Sequence, residues 1–228
     1  MTKDIFFDLD GTLTDSGEGI INCAILGLRH FGLPIPSREE MRVFVGPPLD
    51  QTFIKFGVPE DKAREAIDVF RSRYVVEGKF ENYPYPGIHQ ALQILKDQGH
   101  RLYVATSKPE VTALEVLEKY ELTQYFTQIA GATFDGTRSH KADVIAYLLG
   151  QIGNIRGAVM VGDTAFDVLG AAAHGIPTIG VSWGYGEVAD MEKAGATAIA
   201  HSMEELVTLL NQHPGDCHVG LCPPRNDT

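Results

Sequence analysis

Residues 3–19 read KDIFFDLDGTLTDSGEG. The apolar run 5–7 ends on two aspartates one residue apart, Asp8 and Asp10, and the chain then turns on Gly11. A short apolar run closed by a turn signal predicts a buried strand over residues 5–8. Side chains alternate along an extended strand, so Asp8 and Asp10 share one side and Leu9 takes the other. Two like charges held that close repel, and the sequence calls for something to compensate them.

The rest of the chain supplies the context. Its 228 residues suit one α/β domain with a smaller insertion. A content of 44% hydrophobic and 21% charged residues is ordinary for a globular chain that buries a core without disulfides. With 19 basic and 30 acidic residues the net charge is −11. Such a surface repels phosphate polymers and anionic lipid, so neither nucleic acid nor membrane is an expected partner. A small anionic substrate would need local positive charge in its pocket. Cys23, Cys217 and Cys222 form no disulfide framework. Cys217 and Cys222 flank His218, a grouping that a metal could clip, but residues 213–228 read first as a flexible, reduced tail. The sequence lacks a signal-peptide pattern and a membrane-length apolar run, so the expected compartment is the cytoplasm. Either a monomer or a homodimer is compatible with the sequence.

Apolar residues at helical spacing predict a helix over 17–31, ended by Gly32 and the prolines at 34 and 36. Ser37 with Glu40 is a capping box for a second helix, and Gly46-Pro47-Pro48 is a break. Further helices are expected over 49–56 and 60–78, with no strand-like alternation between 17 and 80. From YPYPG, residues 83–87, the pattern changes to alternating strand and helix. Strands are expected at 101–106, near 129, at 158–162, 178–181 and 198–199, with helices at 88–98, 109–120, 140–150, 165–174 and 203–212. Alternation of this kind implies α/β architecture with a doubly wound, parallel sheet. The predicted core is 1–14 plus 85–212, and the predicted all-helical insert is 15–84.

A parallel sheet binds its ligand beyond the carboxyl ends of its strands. Three strands deliver polar residues there: Asp8 and Asp10; Thr106, Ser107 and Lys108; Asp163 and, from the helix that follows, Asp167. Four carboxylates converging at one edge need a cation, and a hard divalent ion with oxygen ligands, Mg²⁺, fits best. Each piece alone has an ordinary reading: Asp-Gly is a common turn, and GDTAFD can be a helix cap followed by an exposed aspartate. An EF-hand is excluded because Gly19 stands where its bidentate glutamate belongs. GATFDGTR, 131–138, has Walker-like glycines but Thr137-Arg138 in place of Lys-Ser/Thr.

The ordered set DLDGT, Thr106, Lys141 and GDTAFD resembles the haloacid dehalogenase (HAD) superfamily over about residues 3–212. The helical insert resembles the cap of its phosphoglycolate phosphatase-like members. The resemblance implies a Rossmann-like core and a Mg²⁺-dependent phosphatase acting on a small phosphorylated metabolite. It implies Asp8 as nucleophile, forming an aspartyl-phosphate, and Asp10 as general acid and base. Thr106, Lys141 and the backbone near Ser107 would bind phosphoryl oxygens. Metal ligands would be Asp8, the main-chain carbonyl of Asp10, Asp163 and, directly or through water, Asp167. Lys141 also opens a helix, where its charge opposes the macrodipole, which argues for a role beyond solubility. Lys108 would line the site or bind substrate.

Haloalkanoate dehalogenases share the fold but lack the second aspartate, here Asp10. β-Phosphoglucomutase-like mutases share the core motifs but carry a cap arginine shortly after a glycine, where this chain has Gly46-Pro47-Pro48. The mutase reading stays as the alternative. Thr14, Arg42 and the loop 182–187 are candidate substrate contacts. Trp183 and Tyr185 can stack on a base or simply pack, and Arg138 can meet an anion or stay solvated. Phosphoglycolate phosphatases commonly carry Lys-Pro-x-Pro in the third motif. Here Ala142-Asp143 follows Lys141, and FDGTRSHK resembles the bacterial 5′-nucleotidase-like branch, leaving nucleoside 5′-monophosphates and small phosphoacids as substrate classes.

Overall fold

The computed structural model describes residues 2–153, 155 and 157–212; the Cys217, His218, Cys222 grouping lies outside the described residues. The chain enters through β1 (Asp4–Phe7) and turns into β2 (Thr14–Asp15). β2 pairs antiparallel with β3 (Tyr83–Pro84), Thr14 opposite Pro84 and Asp15 opposite Tyr83. Between these two short strands lie α1 (Gly17–His30), α2 (Leu49–Lys55) and α3 (Ala63–Tyr74). Their apolar faces meet in one cluster that includes Ile21, Leu28, Met41, Phe44, Phe53 and Phe70.

After β3 the chain alternates. It passes through α4 (Ile88–Asp97), β4 (Arg101–Pro109), α5 (Glu110–Lys119), β5 (Gln128–Ala132), α6 (Lys141–Ile152) and β6 (Val159–Gly162). It then completes α7 (Ala165–Ala172), β7 (Thr178–Val181), α8 (Val188–Ala194), β8 (Ala198–Ala200) and α9 (Met203–Asn211). The six longer strands form one parallel sheet in the order β5-β4-β1-β6-β7-β8. Ile5 and Phe7 face a cluster with Leu102, Val104 and Val161, closed by Leu92 of α4 and Leu206 of α9. Phe6 faces the other way, onto Tyr103, Met160 and Ile145 of α6. A strand buried on both faces reads as an uninterrupted apolar run, which is why IFF marks the middle of the sheet. Each of those side chains contributes about 2 kcal/mol by leaving water.

Two expected helices differ. The capping-box bonds of Ser37 and Glu40 form, with Ser37 N donating to the Glu40 carboxylate at 2.9 Å and Glu40 N to Ser37 Oγ at 3.3 Å. The helix they open is only a 3₁₀ turn, Glu40–Phe44. β-Branched Val43 and Val45 and the Gly-Pro-Pro break stop it before a nucleus can propagate. The helix expected over 60–78 ends at Tyr74, followed by the β-branched pair Val75-Val76 and a 3₁₀ turn, Gly78–Phe80. β4 in turn runs past its expected end to Pro109, which pairs with Ala132 after an irregularity.

Candidate active site

Phe7 pairs with Val104 on one side and Val161 on the other, so the next residues of β1, β4 and β6 leave the sheet side by side. Strand order reverses between β1 and β6, which opens the crevice there. Asp8, Asp163 and Asp167 meet in it, each offering an oxygen within 4.8 Å of the others. All three are buried. Gly11 permits this approach: its φ is +86°, and a Cβ there would lie 2.2 Å from Asp163 Oδ2. The Asp163 carboxylate accepts from Thr12 Oγ1 at 3.1 Å and from the Tyr185 backbone N–H at 2.9 Å. Asp167 is at once a helix cap and a site residue. Its Oδ2 accepts from Thr164 N at 3.1 Å, one half of the capping box of α7, and from Thr164 Oγ1 at 2.9 Å.

Lys141 sits against this cluster. Its Nζ lies 2.7 Å from Asp8 Oδ1 and 2.8 Å from Asp167 Oδ1, and donates to Ala105 O at 2.9 Å. Burial alone would lower its pKa, but attraction to Asp167 and Asp8 outweighs that and raises it, so the ammonium stays charged. Burial pushes Asp8 up to about 6; Lys141 opposes the rise, while Asp167 and Asp10 add to it. Burial, then Asp167 and Asp8, hold Asp163 well above the usual carboxylate range. With all three carboxylates ionised, one ammonium leaves two negative charges uncompensated. An all-oxygen donor set with that residual charge fits a hard divalent cation such as Mg²⁺.

Asp10 departs from expectation. Its carboxylate is not part of the cluster. Lys108 Nζ engages it at 2.7 and 2.8 Å, and also donates to the Tyr74 hydroxyl at 2.5 Å. β1 ends at Phe7, and the turn that follows carries Asp10 off the sheet edge toward a lysine of the neighbouring strand. Three carboxylates converge, not four.

Thr106 is buried, and its Oγ1 accepts from Lys108 N at 3.2 Å, while Ser107 is exposed. Thr14 is also buried, its hydroxyl spent on Leu9 O at 3.5 Å inside the turn. Arg42 donates to Gly184 O at 3.1 Å and lies 5.0 Å over the Tyr185 ring. Arg138 is neither free nor merely solvated, because it pairs with Glu110 at 2.5 Å and covers the Tyr147 ring at 3.9 Å. Of the aromatic pair, Trp183 packs against the sheet cluster and Tyr185 against the helical cluster, which is the packing alternative.

Thr12 and Tyr74 were missed as site residues, and Tyr185, expected as a substrate contact, instead holds Asp163 through its backbone N–H. Thr12 lies inside DLDGT and its spacing could have flagged it. Tyr74 reads as an ordinary apolar-face residue of an amphipathic helix, and nothing local marks its hydroxyl.

An acidic cluster with a buried lysine, set at the carboxyl edge of a doubly wound sheet, defines an α/β enzyme site. The sequence pattern of the haloacid dehalogenase-like hydrolases matches residues 5–181, and the chain belongs to that family. Tyrosine-protein kinase PtkA of Mycobacterium tuberculosis is 43% identical over 199 residues, covering 87% of this chain and 68% of that protein. A 5′-nucleotidase of Pseudomonas aeruginosa is 38% identical over 211 residues, covering 92% of this chain and 96% of that one. The crystal structure of a predicted phosphatase from Clostridium acetobutylicum superposes with a TM-score of 0.87 at 40% identity, covering 92% of this chain and 98% of that one. Among the described residues no helix is long and apolar enough to cross a membrane.

Proposed function

We propose that this chain, a phosphatase of the haloacid dehalogenase-like family, hydrolyses a small phosphate monoester through an aspartyl-phosphate on Asp8, with nucleoside 5′-monophosphates as its first substrate class. The observation that carries the reading is the buried Asp8 carboxylate held 2.7 Å from Lys141 beside Asp163 and Asp167. Residues 15–84 act as the cap and 1–14 with 85–212 as the catalytic core.

Asp8 attacks phosphorus, and the ester oxygen departs. Asp10, once it has taken up a proton, gives it to that oxygen; as the carboxylate it then takes a proton from the water that cleaves the acyl phosphate and releases inorganic phosphate. Thr106, backbone N–H groups near Ser107, and Lys141 hold the phosphoryl oxygens. Lys108 keeps the Asp10 carboxylate apart from the acidic cluster, which separates the acid–base group from the nucleophile. Asp8, the Asp10 carbonyl and Asp163 would hold Mg²⁺, with Asp167 direct or through water; when bound, the ion supplies charge that neutralises Asp8 and a phosphate oxygen. The cap closes over the site and keeps bulk water out while the phosphoryl group moves to Asp8. Thr14 and Arg42 are spent within the protein, and Lys108 is held by Asp10 and Tyr74, so Lys108 lines the site beside the acid–base group.

The identity with PtkA favours a second reading, in which a tyrosyl hydroxyl takes the phosphoryl group. The decisive assay supplies Mg²⁺ with p-nitrophenyl phosphate, a panel of nucleoside 5′-monophosphates and phosphoglycolate, and in parallel labelled ATP with a tyrosine peptide. Release of inorganic phosphate, lost in Asp8→Asn, is expected. Labelled phosphotyrosine without phosphate release would establish the kinase reading instead. An aspartyl-phosphate that passes to a second sugar phosphate, not to water, would establish the mutase.

A further inference from the structure

The loop 182–187 straddles both halves of the molecule. Trp183 packs into the sheet cluster and donates from Nε1 to Thr12 O at 3.2 Å. Two residues on, the Tyr185 ring packs into the cluster formed by α1, α2 and α3, with Arg42 above it. The backbone N–H of Tyr185 donates to Asp163 Oδ2 at 2.9 Å. Its hydroxyl accepts from Gly17 N at 2.7 Å and donates to Asp15. Asp15 lies in β2 and Gly17 opens α1, so the phenol grips the strand by which the chain enters the helical segment. The fit is close: a Cβ on Gly17 would stand 2.5 Å from the Tyr185 hydroxyl oxygen.

We propose that Tyr185 is a positioning residue that couples closure of the helical segment to cation occupancy at Asp163. The coupling rests on the cation reading of the Asp8, Asp163, Asp167 cluster. One rigid side chain spans the two events. While the phenol is held by Asp15 and Gly17, the loop keeps its N–H on Asp163 Oδ2 and aims that carboxylate. If the segment swings open, the phenol loses both partners and the loop no longer fixes Asp163. Coupling of this kind is reciprocal, so a cation that orders Asp163 tightens the hinge by the factor by which the closed hinge tightens the cation.

The test compares wild type, Tyr185→Phe and Asp15→Ala. Mg²⁺ binding is followed by calorimetry and by the fluorescence of Trp183, the one tryptophan in the sequence. Amide hydrogen exchange of residues 14–20 is measured with and without Mg²⁺. Wild type should bind Mg²⁺ with slowed hinge exchange. Both variants should bind it roughly fivefold more weakly, with hinge exchange no longer responsive to the ion. Asp15→Ala is the sharper probe, since Asp15 does not touch Asp163, and it carries the test alone should Tyr185→Phe fail to fold. Variants that merely melt earlier, with unchanged Mg²⁺ affinity and a responsive hinge, overturn the coupling and leave the cation site standing. Wild type that binds no Mg²⁺, or binds it equally in Asp163→Asn, overturns the cation reading and the coupling together.

Discussion

Lys108 holds both carboxylate oxygens of Asp10, at 2.7 and 2.8 Å. The pair is nearly dry, the Lys108 side chain being 2% and that of Asp10 15% exposed. Burial alone would lower the pKa of Lys108, but Asp10 and Tyr74 more than offset it, and the lysine stays charged. The partners come from the turn after β1 and the end of β4, with Tyr74 reaching in from the last position of α3.

Lys108→Met should therefore act on both stability and rate. It strands a largely buried carboxylate, at a cost of about 3 kcal/mol. It also frees Asp10 from its fixed orientation, which should lower kcat by roughly 100-fold. Tyr74→Phe keeps the ion pair and should lower kcat only a few-fold. Steady-state kinetics and thermal melts check both, and a Lys108→Met enzyme with wild-type kcat would refute the positioning argument.

Lys141 is the sole ammonium that the described residues place against Asp8 and Asp167. Replacing it by Met leaves the acidic cluster without its internal cation, and metal-free protein should lose about 3–5 kcal/mol. Added Mg²⁺ should raise Tm more in this variant than in wild type, because the ion then faces more uncompensated charge. A metal-free Lys141→Met protein that melts with wild type would show that Lys141 does not offset the repulsion within the cluster.

The raised pKa values of Asp8 and Asp163 fix a sign for pH. The folded chain holds these protons more tightly than the unfolded chain, so they contribute stability at acid pH. For Asp8 that contribution is complete below about 4, its unfolded range, and is lost as pH rises through about 6. Above that pH the ionised cluster both destabilises the metal-free protein and attracts a cation. The Tm increase caused by Mg²⁺ should consequently be larger at pH 7.5 than at pH 5. Calorimetric melts at the two pH values decide it, and equal increases would break the link between carboxylate ionisation and the cation.

The sheet and the acidic cluster were legible for one physical reason. Strands buried on both faces are continuous apolar runs, and polar residues at their ends have only the carboxyl edge to occupy. IFFDLD and VMVGDTAFD therefore announce both the strand and its chemistry. The capping box at Ser37 was equally local and forms as read, yet the length of the element depended on Val43, Val45 and the prolines beyond. Asp10 was misplaced because its partner is not local. Lys108 is far along the chain, and Tyr74 arrives on a helix whose pattern records only that one face is apolar. Contacts made between the two halves of the molecule leave no periodic trace in either.

Asp8→Asn separates chemistry from stability. The substitution removes the nucleophile, so phosphate release should fall to background. It also replaces a buried carboxylate, whose pKa is raised to about 6, by a neutral group of the same shape. At pH 7.5 the wild-type group must be ionised in a place that disfavours the charge, chiefly through burial. The variant escapes this, and metal-free Asp8→Asn should be more stable than wild type by on the order of 1–3 kcal/mol. The gain should vanish below pH 4, where the wild-type carboxyl is protonated in both folded and unfolded chains. In saturating Mg²⁺ the order should reverse, because wild type keeps a ligand that the variant lacks. Denaturant melts at pH 7.5 and pH 4, with and without Mg²⁺, test all three statements. A variant less stable than wild type in metal-free buffer at pH 7.5 would show that Asp8 is held in place by Lys141 more strongly than burial and its acidic neighbours oppose it.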